Sequence, residues 1–232
     1  MNHSKNEHLM ARKAAATPRG VGVMGTFFAE RAQGAELWDV QGQRYIDFAG
    51  GIAVMNVGHG HPKVIAAIEA QLKRFTHTCY QVVPYESYVA LAEKLNQITP
   101  GTHAKKTALF STGAEAIETA LKLAMYHTKR QKFISFFGSF HGRTLGALSL
   151  TSSKRAQRLG FARQALDVVH VPYPNCFRCP FNLGKCDDGE CCQGTIDWIE
   201  NRLFNTTTPP EEVAGIVLEV VQGEGGYVPA PK

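Results

Sequence analysis

The sequence has no run of the roughly 18 apolar residues that a membrane helix needs. Its opening stretch, MNHSKNEHLMARK, lacks the apolar core of a secretory signal. It also has no basic stripe interleaved with aromatics. Its 25 Lys and Arg stand against 20 Asp and Glu, and the net +5 is scattered along the chain. That spread speaks against a nucleic-acid partner, whereas a mild basic excess suits a site for anionic small molecules. Cysteine is scarce outside one loop. Cys79 stands alone, while Cys176, Cys179, Cys186, Cys191 and Cys192 crowd together, and a disulfide scaffold would spread its cysteines through a small secreted chain. What is present is a core: hydrophobic residues make up 44% and charged residues 19% of 232 positions, which excludes wholesale disorder. The expectation is a soluble, cytoplasmic protein of one large or two small domains, with no membrane and no nucleic-acid partner.

Residues 1–18 are polar and alanine-rich. The stretch LWDVQGQRYIDF (37–48) predicts a hairpin turning at Gln41-Gly42. Pro62 suits the first turn of a helix that continues through IAAIEAQLKRF, and a second helix is expected through YVALAEKLNQI. Beyond Pro100-Gly101 the texture becomes α/β. Strands are predicted at TALFS (107–111), FISFF (133–137), 168–171 and IVLEVV (216–221), with a long helix through AIETALKLAMYH and a polar helical segment near 195–204. Strands separated by helices predict a mainly parallel sheet. The last predicted strand is followed by a glycine turn and no closing helix, so the chain reads either as a natural truncation or as a fragment of something larger.

Three strand ends carry candidate chemistry. After TALFS comes STGAEA (111–116), where Gly113 permits a tight turn and Ala114 leaves room above the helix start. Free N–H groups and the helix dipole there suit a phosphate, although an ordinary capped turn would look the same. After FISFF comes GSFHGRT (138–144). An aromatic ring there can stack on a planar ligand and an arginine can grip a carboxylate, or Phe140 is core, His141 bonds within the turn and Arg143 is a surface charge. After IVLEVV comes QGEGG (222–226), delivering the carboxylate of Glu224. Three such turns on the carboxyl edge of one sheet, where open α/β folds bind ligands, outweigh any one alone.

Taken in order, TPRGVG (17–22), DFAGGIAV (47–54), GHGHP (58–62), HTCYQ (77–81), STGAEA, SFHGRT and QGEGG resemble the class III, pyridoxal-phosphate-dependent aminotransferases over nearly the whole chain. GAEA and FHGRT mark the family, and PRGVG joined to QGEGG tilts the resemblance toward members that use 4-aminobutyrate. The resemblance implies the aspartate-aminotransferase (type I) fold. Residues 1–57 would be an N-terminal segment of a small domain, and residues 58–232 the first half of a large cofactor-binding α/β domain, with a cysteine-rich insertion at 174–194. It implies Gly113 and Ala114 as the phosphate cup and Phe140 as the ring stacked on pyridoxal 5′-phosphate. It further implies Arg143 as the anchor of the substrate's distal carboxylate, Ile52 as an apolar wall beside it, and Glu224 as a gate that pairs with an arginine far down the chain. The catalytic Schiff-base lysine and the aspartate at the pyridinium nitrogen would lie beyond Lys232, so this chain would hold no catalytic residue and be inactive alone.

The implied reaction passes the amino group of 4-aminobutyrate to 2-oxoglutarate, giving succinate semialdehyde and glutamate, in a homodimer or higher oligomer when full length. Its partners are small amino acids and 2-oxo acids. Ornithine, acetylornithine or another ω-amino acid is the alternative donor, and a non-catalytic remnant with a metal-stapled loop is the alternative class. The loop CFRCPFNLGKCDDGECC fits the family poorly. The spacing of Cys176, Cys179, Cys186 and Cys191 is compatible with structural zinc or an iron–sulfur centre, as well as with free thiols.

Overall fold

The computed structural model describes residues 4–161, 166–181 and 190–231, with the side chains of 190–192 excepted. It divides into two compact units, residues 1–89 and 90–232.

In the first unit, helix α1 (Lys5–Ala16) starts on a reciprocal cap: Glu7 N–H donates to Ser4 Oγ and Ser4 N–H to Glu7 Oε2. Strands β1 (Ala29–Gln33), β2 (Glu36–Asp39) and β3 (Arg44–Ile46) form an antiparallel meander, with Gly42 at φ +83° in the expected turn. Asn6 ties α1 to it, donating to Asp39 Oδ2 at 2.8 Å and accepting Phe28 N–H at 2.8 Å. Helix α2 (Pro62–Leu72) begins at its proline, as expected.

Helix α3 (Glu86–Ile98) leads into the second unit. There α4 (Gly113–Thr128), β4 (Lys132–Phe136), α5 (Leu145–Leu150), β5 (Asp167–Val171), α6 (Glu190–Asp197) and β6 (Val213–Ile216) follow in turn. The sheet is parallel in the order β5-β4-β6, and a short antiparallel pair, β7 (Val221–Gln222) and β8 (Val228–Pro229), follows it. The period of two in FISFF sends side chains to opposite faces. Ile134 and Phe136 pack with Val171, Tyr173, Ile199 and Leu203, while Phe133 packs with Leu121 of α4 and Leu150 of α5.

Two strand expectations change. Thr107–Ser111 lies outside any strand, anchored at its start by Thr107 Oγ1 on Asn96 Oδ1 at 2.8 Å; an apolar extended pattern becomes a strand only beside a neighbour that completes its ladder. The fourth strand runs Val213–Ile216 instead of 216–221. Val217 N–H still reaches Ile134 O at 2.9 Å, after which the carbonyls of Glu219 and Val220 turn to the Tyr173 hydroxyl at 3.0 and 3.3 Å.

Ile134 sits fully buried on the central strand, so Ile134→Ala should destabilise by about 2–5 kcal/mol. Leu159→Ala, at an exposed position, should stay within about 0.5 kcal/mol. Urea midpoints check both, and equal losses would contradict the placement of the core.

Candidate active site

Helix α4 opens on a reciprocal cap: Thr112 Oγ1 accepts Glu115 N–H at 3.1 Å, and Glu115 Oε2 accepts Thr112 N–H at 2.9 Å. Ala116 N–H returns to Thr112 O at 3.2 Å. The next two donors, Gly113 N–H and Ala114 N–H, stand in the first turn, where no helical carbonyl can reach them, at the positive end of a 16-residue helix.

The turn after β4 is brought against this helix mouth by an absent side chain. Gly142 has φ +138°, and a Cβ there would lie 2.9 Å from Ala147 Cβ and 3.0 Å from Ala114 Cβ. Any larger residue would push the turn off the helix. The turn is stitched from below: Ser139 Oγ donates to Leu150 O at 2.7 Å, His141 N–H to Thr151 Oγ1 at 3.0 Å, and Thr151 Oγ1 to Gly142 O at 3.0 Å. From α4, Glu118 Oε1 accepts Thr144 Oγ1–H at 2.6 Å and Ala147 N–H at 3.1 Å, serving as a remote N-cap for α5. Between the two turns opens a cleft of about 890 Å³, lined by residues 112–114, 116, 117 and 140–144.

Two histidines under this turn are biased against protonation. Burial lowers the His141 pKa, with the Glu219 carboxylate pulling it up, and His141 Nε2 is buried with no partner among the described residues. Burial likewise lowers His170, opposed by its bond to Leu150 O at 3.0 Å and reinforced by Arg158 and His141. A carbonyl only accepts, so His170 carries its proton on Nε2.

Gly113, Ala114, Phe140 and Arg143 therefore meet at one cleft. Glu224 is not on it; its Oε2 pairs with Lys154 Nζ at 2.5 Å. Ile52 belongs to the first unit, where it is 85% exposed. It stands at φ 60° in a left-handed run with Gly50, Gly51 and Ala53, a conformation a β-branched residue rarely adopts. Asp47 braces that run: its Oδ1 accepts Ala49 and Gly50 N–H at 3.0 and 2.9 Å, and its Oδ2 meets His59 Nε2 at 2.7 Å. The His59 bond first, then those amides, outweigh desolvation and hold the Asp47 carboxyl below its ordinary pKa. Cys176 and Cys179 are half-buried at a 3-10 turn. Cys186 and the side chain of Cys191 lie outside the described residues, and among those described no three His, Cys, Asp or Glu gather as metal ligands. The proposed zinc or iron–sulfur centre thus finds no support here.

Glu118, Glu219 and Gln222 were not legible as site residues. Glu118 reaches partners 26 and 29 positions away, a separation that no local pattern encodes. Gln222 donates to Phe137 O at 2.9 Å, and both Gly138 and Gly225 leave room for its amide. The clustering of glycines around QGEGG was the available signal.

The sequence model of the aminotransferase class-III family matches residues 16–232. The chain belongs to the class III aminotransferases. It is 47% identical over 224 residues to the 4-aminobutyrate aminotransferase GabT of Escherichia coli K12, covering 97% of this chain and 50% of that protein. It is 43% identical over 227 residues to the 5-aminovalerate aminotransferase DavT of Pseudomonas putida KT2440, covering 98% and 51%. The chain thus spans about half the length of the curated relatives it matches. Among solved structures, an (S)-enantioselective ω-transaminase of Thermomicrobium roseum superposes with a TM-score of 0.83 at 28% identity, covering 99% of this chain and 53% of that one. The taurine:2-oxoglutarate aminotransferase of Bifidobacterium kashiwanohense, solved with PLP and glutamate, superposes at 0.84 and 24% identity over 100% and 52%, a likeness of fold alone. The chain therefore has the α/β fold of the PLP-dependent type I aminotransferases, and among its described residues no helix is long and apolar enough to cross a membrane.

A lowered histidine pKa means that the folded chain resists protonation, so stability falls as pH drops below the unfolded value of about 6.5 and levels below the folded one. By NMR, His141 and His170 should titrate below about 6.5. A midpoint at or above that value would contradict the desolvation that lowers both.

Proposed function

We propose that this chain supplies the cofactor-phosphate and substrate-carboxylate side of an aminotransferase that moves the amino group of 4-aminobutyrate to 2-oxoglutarate, with succinate semialdehyde and glutamate as products. The observation that carries the reading is that the two outward N–H groups at the start of α4 share one cleft with Phe140 and Arg143. The residues present fit pyridoxal 5′-phosphate. Gly113 and Ala114 N–H would take the phosphate, with space above Gly113 where a Cβ would meet nothing. Phe140 would stack on the ring, and the orphaned His141 Nε2 marks a polar demand beneath the same cleft. When bound, this cofactor supplies the electron sink for amino transfer.

Arg143 presents a planar fork of donors to a carboxylate, which fixes one end of an ω-amino acid and leaves its amine to reach the ring. By resemblance, Ile52 would supply an apolar wall for the methylene chain. Glu224 acts as the gate, and here its counter-charge is Lys154. In the longer protein the gate would meet an arginine, and the assembly would be a homodimer or higher. An amino acid one methylene longer is the second reading, favoured by the 43% identity to a 5-aminovalerate enzyme. None of this chain's lysines stands in the family's Schiff-base context, so the 232 residues are expected to bind the cofactor without turnover.

Calorimetry on the cofactor-loaded chain tests the anchor. Arg143→Ala should weaken 4-aminobutyrate by a factor of about ten to a thousand and leave butylamine, which has no carboxylate, unchanged. Arg143→Lys should recover little, since a point charge does not replace the fork. Equal losses for both amines would remove Arg143 from this role.

A further inference from the structure

Between the ring-bearing turn and the gate turn stands Glu219, a half-buried carboxylate. One oxygen accepts Phe140 N–H at 2.8 Å and the other accepts Gly223 N–H at 3.0 Å. The two donors come from turns more than seventy residues apart in sequence, one carrying Phe140, the other Glu224. The backbone of Glu219 is itself held, because the Tyr173 hydroxyl donates to Glu219 O at 3.0 Å and also lies 3.3 Å from Val220 O and from Val228 O. Tyr173 is buried in the core, so the carboxylate projects from a fixed base. A second tie runs in parallel, from Gln222 Nε2 to Phe137 O at 2.9 Å.

From this geometry we infer that Glu219 is a positioning residue that sets the stacking face of Phe140 and the path of the gate turn together, through one carboxylate shared by their two amides. The inference rests on the cofactor reading above and deepens it. Glu219 is not on the wall of the cleft, so its effect on a ligand passes through Phe140. A carboxylate accepts from both amides at once, whereas a carboxamide has one accepting oxygen and would turn a donor toward the other amide. Glu219→Gln should therefore keep about half of the lock, and Glu219→Ala none of it.

The test combines amide hydrogen exchange with pyridoxal 5′-phosphate titration of the 232-residue chain. In Glu219→Ala the Phe140 and Gly223 amides should exchange together, about tenfold faster or more, and the cofactor should bind about tenfold more weakly. Glu219→Gln should fall between this and wild type, and it preserves the comparison if the alanine variant does not fold. In a Phe140→Ala background the same Glu219 change should alter affinity by less than about twofold, because the residue through which it acts is gone. An undiminished effect in that background, or amides whose exchange does not change, would overturn the positioning role. Saturable binding by wild type that Glu219→Ala leaves intact would overturn it alone. A wild-type chain with no saturable binding would overturn the cofactor reading and this role with it.

Discussion

The candidate site depends on a contact that only glycine allows. At Gly142 the turn after the central strand comes so close to the start of α4 that a single Cβ would collide with both Ala114 and Ala147. Everything that makes the cleft follows from that approach. The uncapped amides of Gly113 and Ala114 belong to one side of the contact, and Phe140 and Arg143 to the other. Ala114 matters as much as Gly142, since a bulky residue at either position would part the turns. The requirement for small residues is a packing constraint first, and the proposed anion site would be its consequence.

Beneath the contact the polar groups are accounted for almost completely. The Leu150 carbonyl takes the hydroxyls of Ser135 and Ser139 and the ring N–H of His170, at 2.9, 2.7 and 3.0 Å. Ser139 O accepts the amides of Ser152 and Ser153, both at 2.9 Å. Such a network is rigid when every member is satisfied. Against that background the lone buried Nε2 of His141 stands out, because an unpaired buried group costs about 1–3 kcal/mol unless something meets it. A polar group arriving in or beside the cleft would relieve that cost.

The parts legible in the sequence were those written in local pattern. The hairpin around Gln41-Gly42, the proline-started helix α2, the long helix α4 and the strand at FISFF follow from turn residues, caps and hydrophobic period. Phe140 and Arg143 reach the cleft by the strand–turn–helix order that follows β4, whereas Gly113 and Ala114 reach it from a helix start that no strand immediately precedes. TALFS has the composition of a strand, but composition does not supply the neighbour that makes it one. The end of β6 at Ile216 depends on where Tyr173 sits, far off in sequence. Glu118 and Glu219 act across dozens of residues on backbone amides, which carry no side-chain signature. What the sequence hid was the set of carboxylates that hold the loops in place, while Gly113, Ala114, Phe140 and Arg143, which line the cleft, were visible.

The most direct measurement is a titration of the isotope-labelled chain with pyridoxal 5′-phosphate, followed amide by amide in nitrogen–proton correlation spectra, with inorganic phosphate as a parallel arm. The account predicts that Gly113 and Ala114 N–H move first and furthest with both ligands, and that Phe140 and its neighbours move with the ring-bearing ligand alone. Saturable binding that leaves the Gly113 and Ala114 amides in place would show that the phosphate sits elsewhere and would contradict the account at its centre.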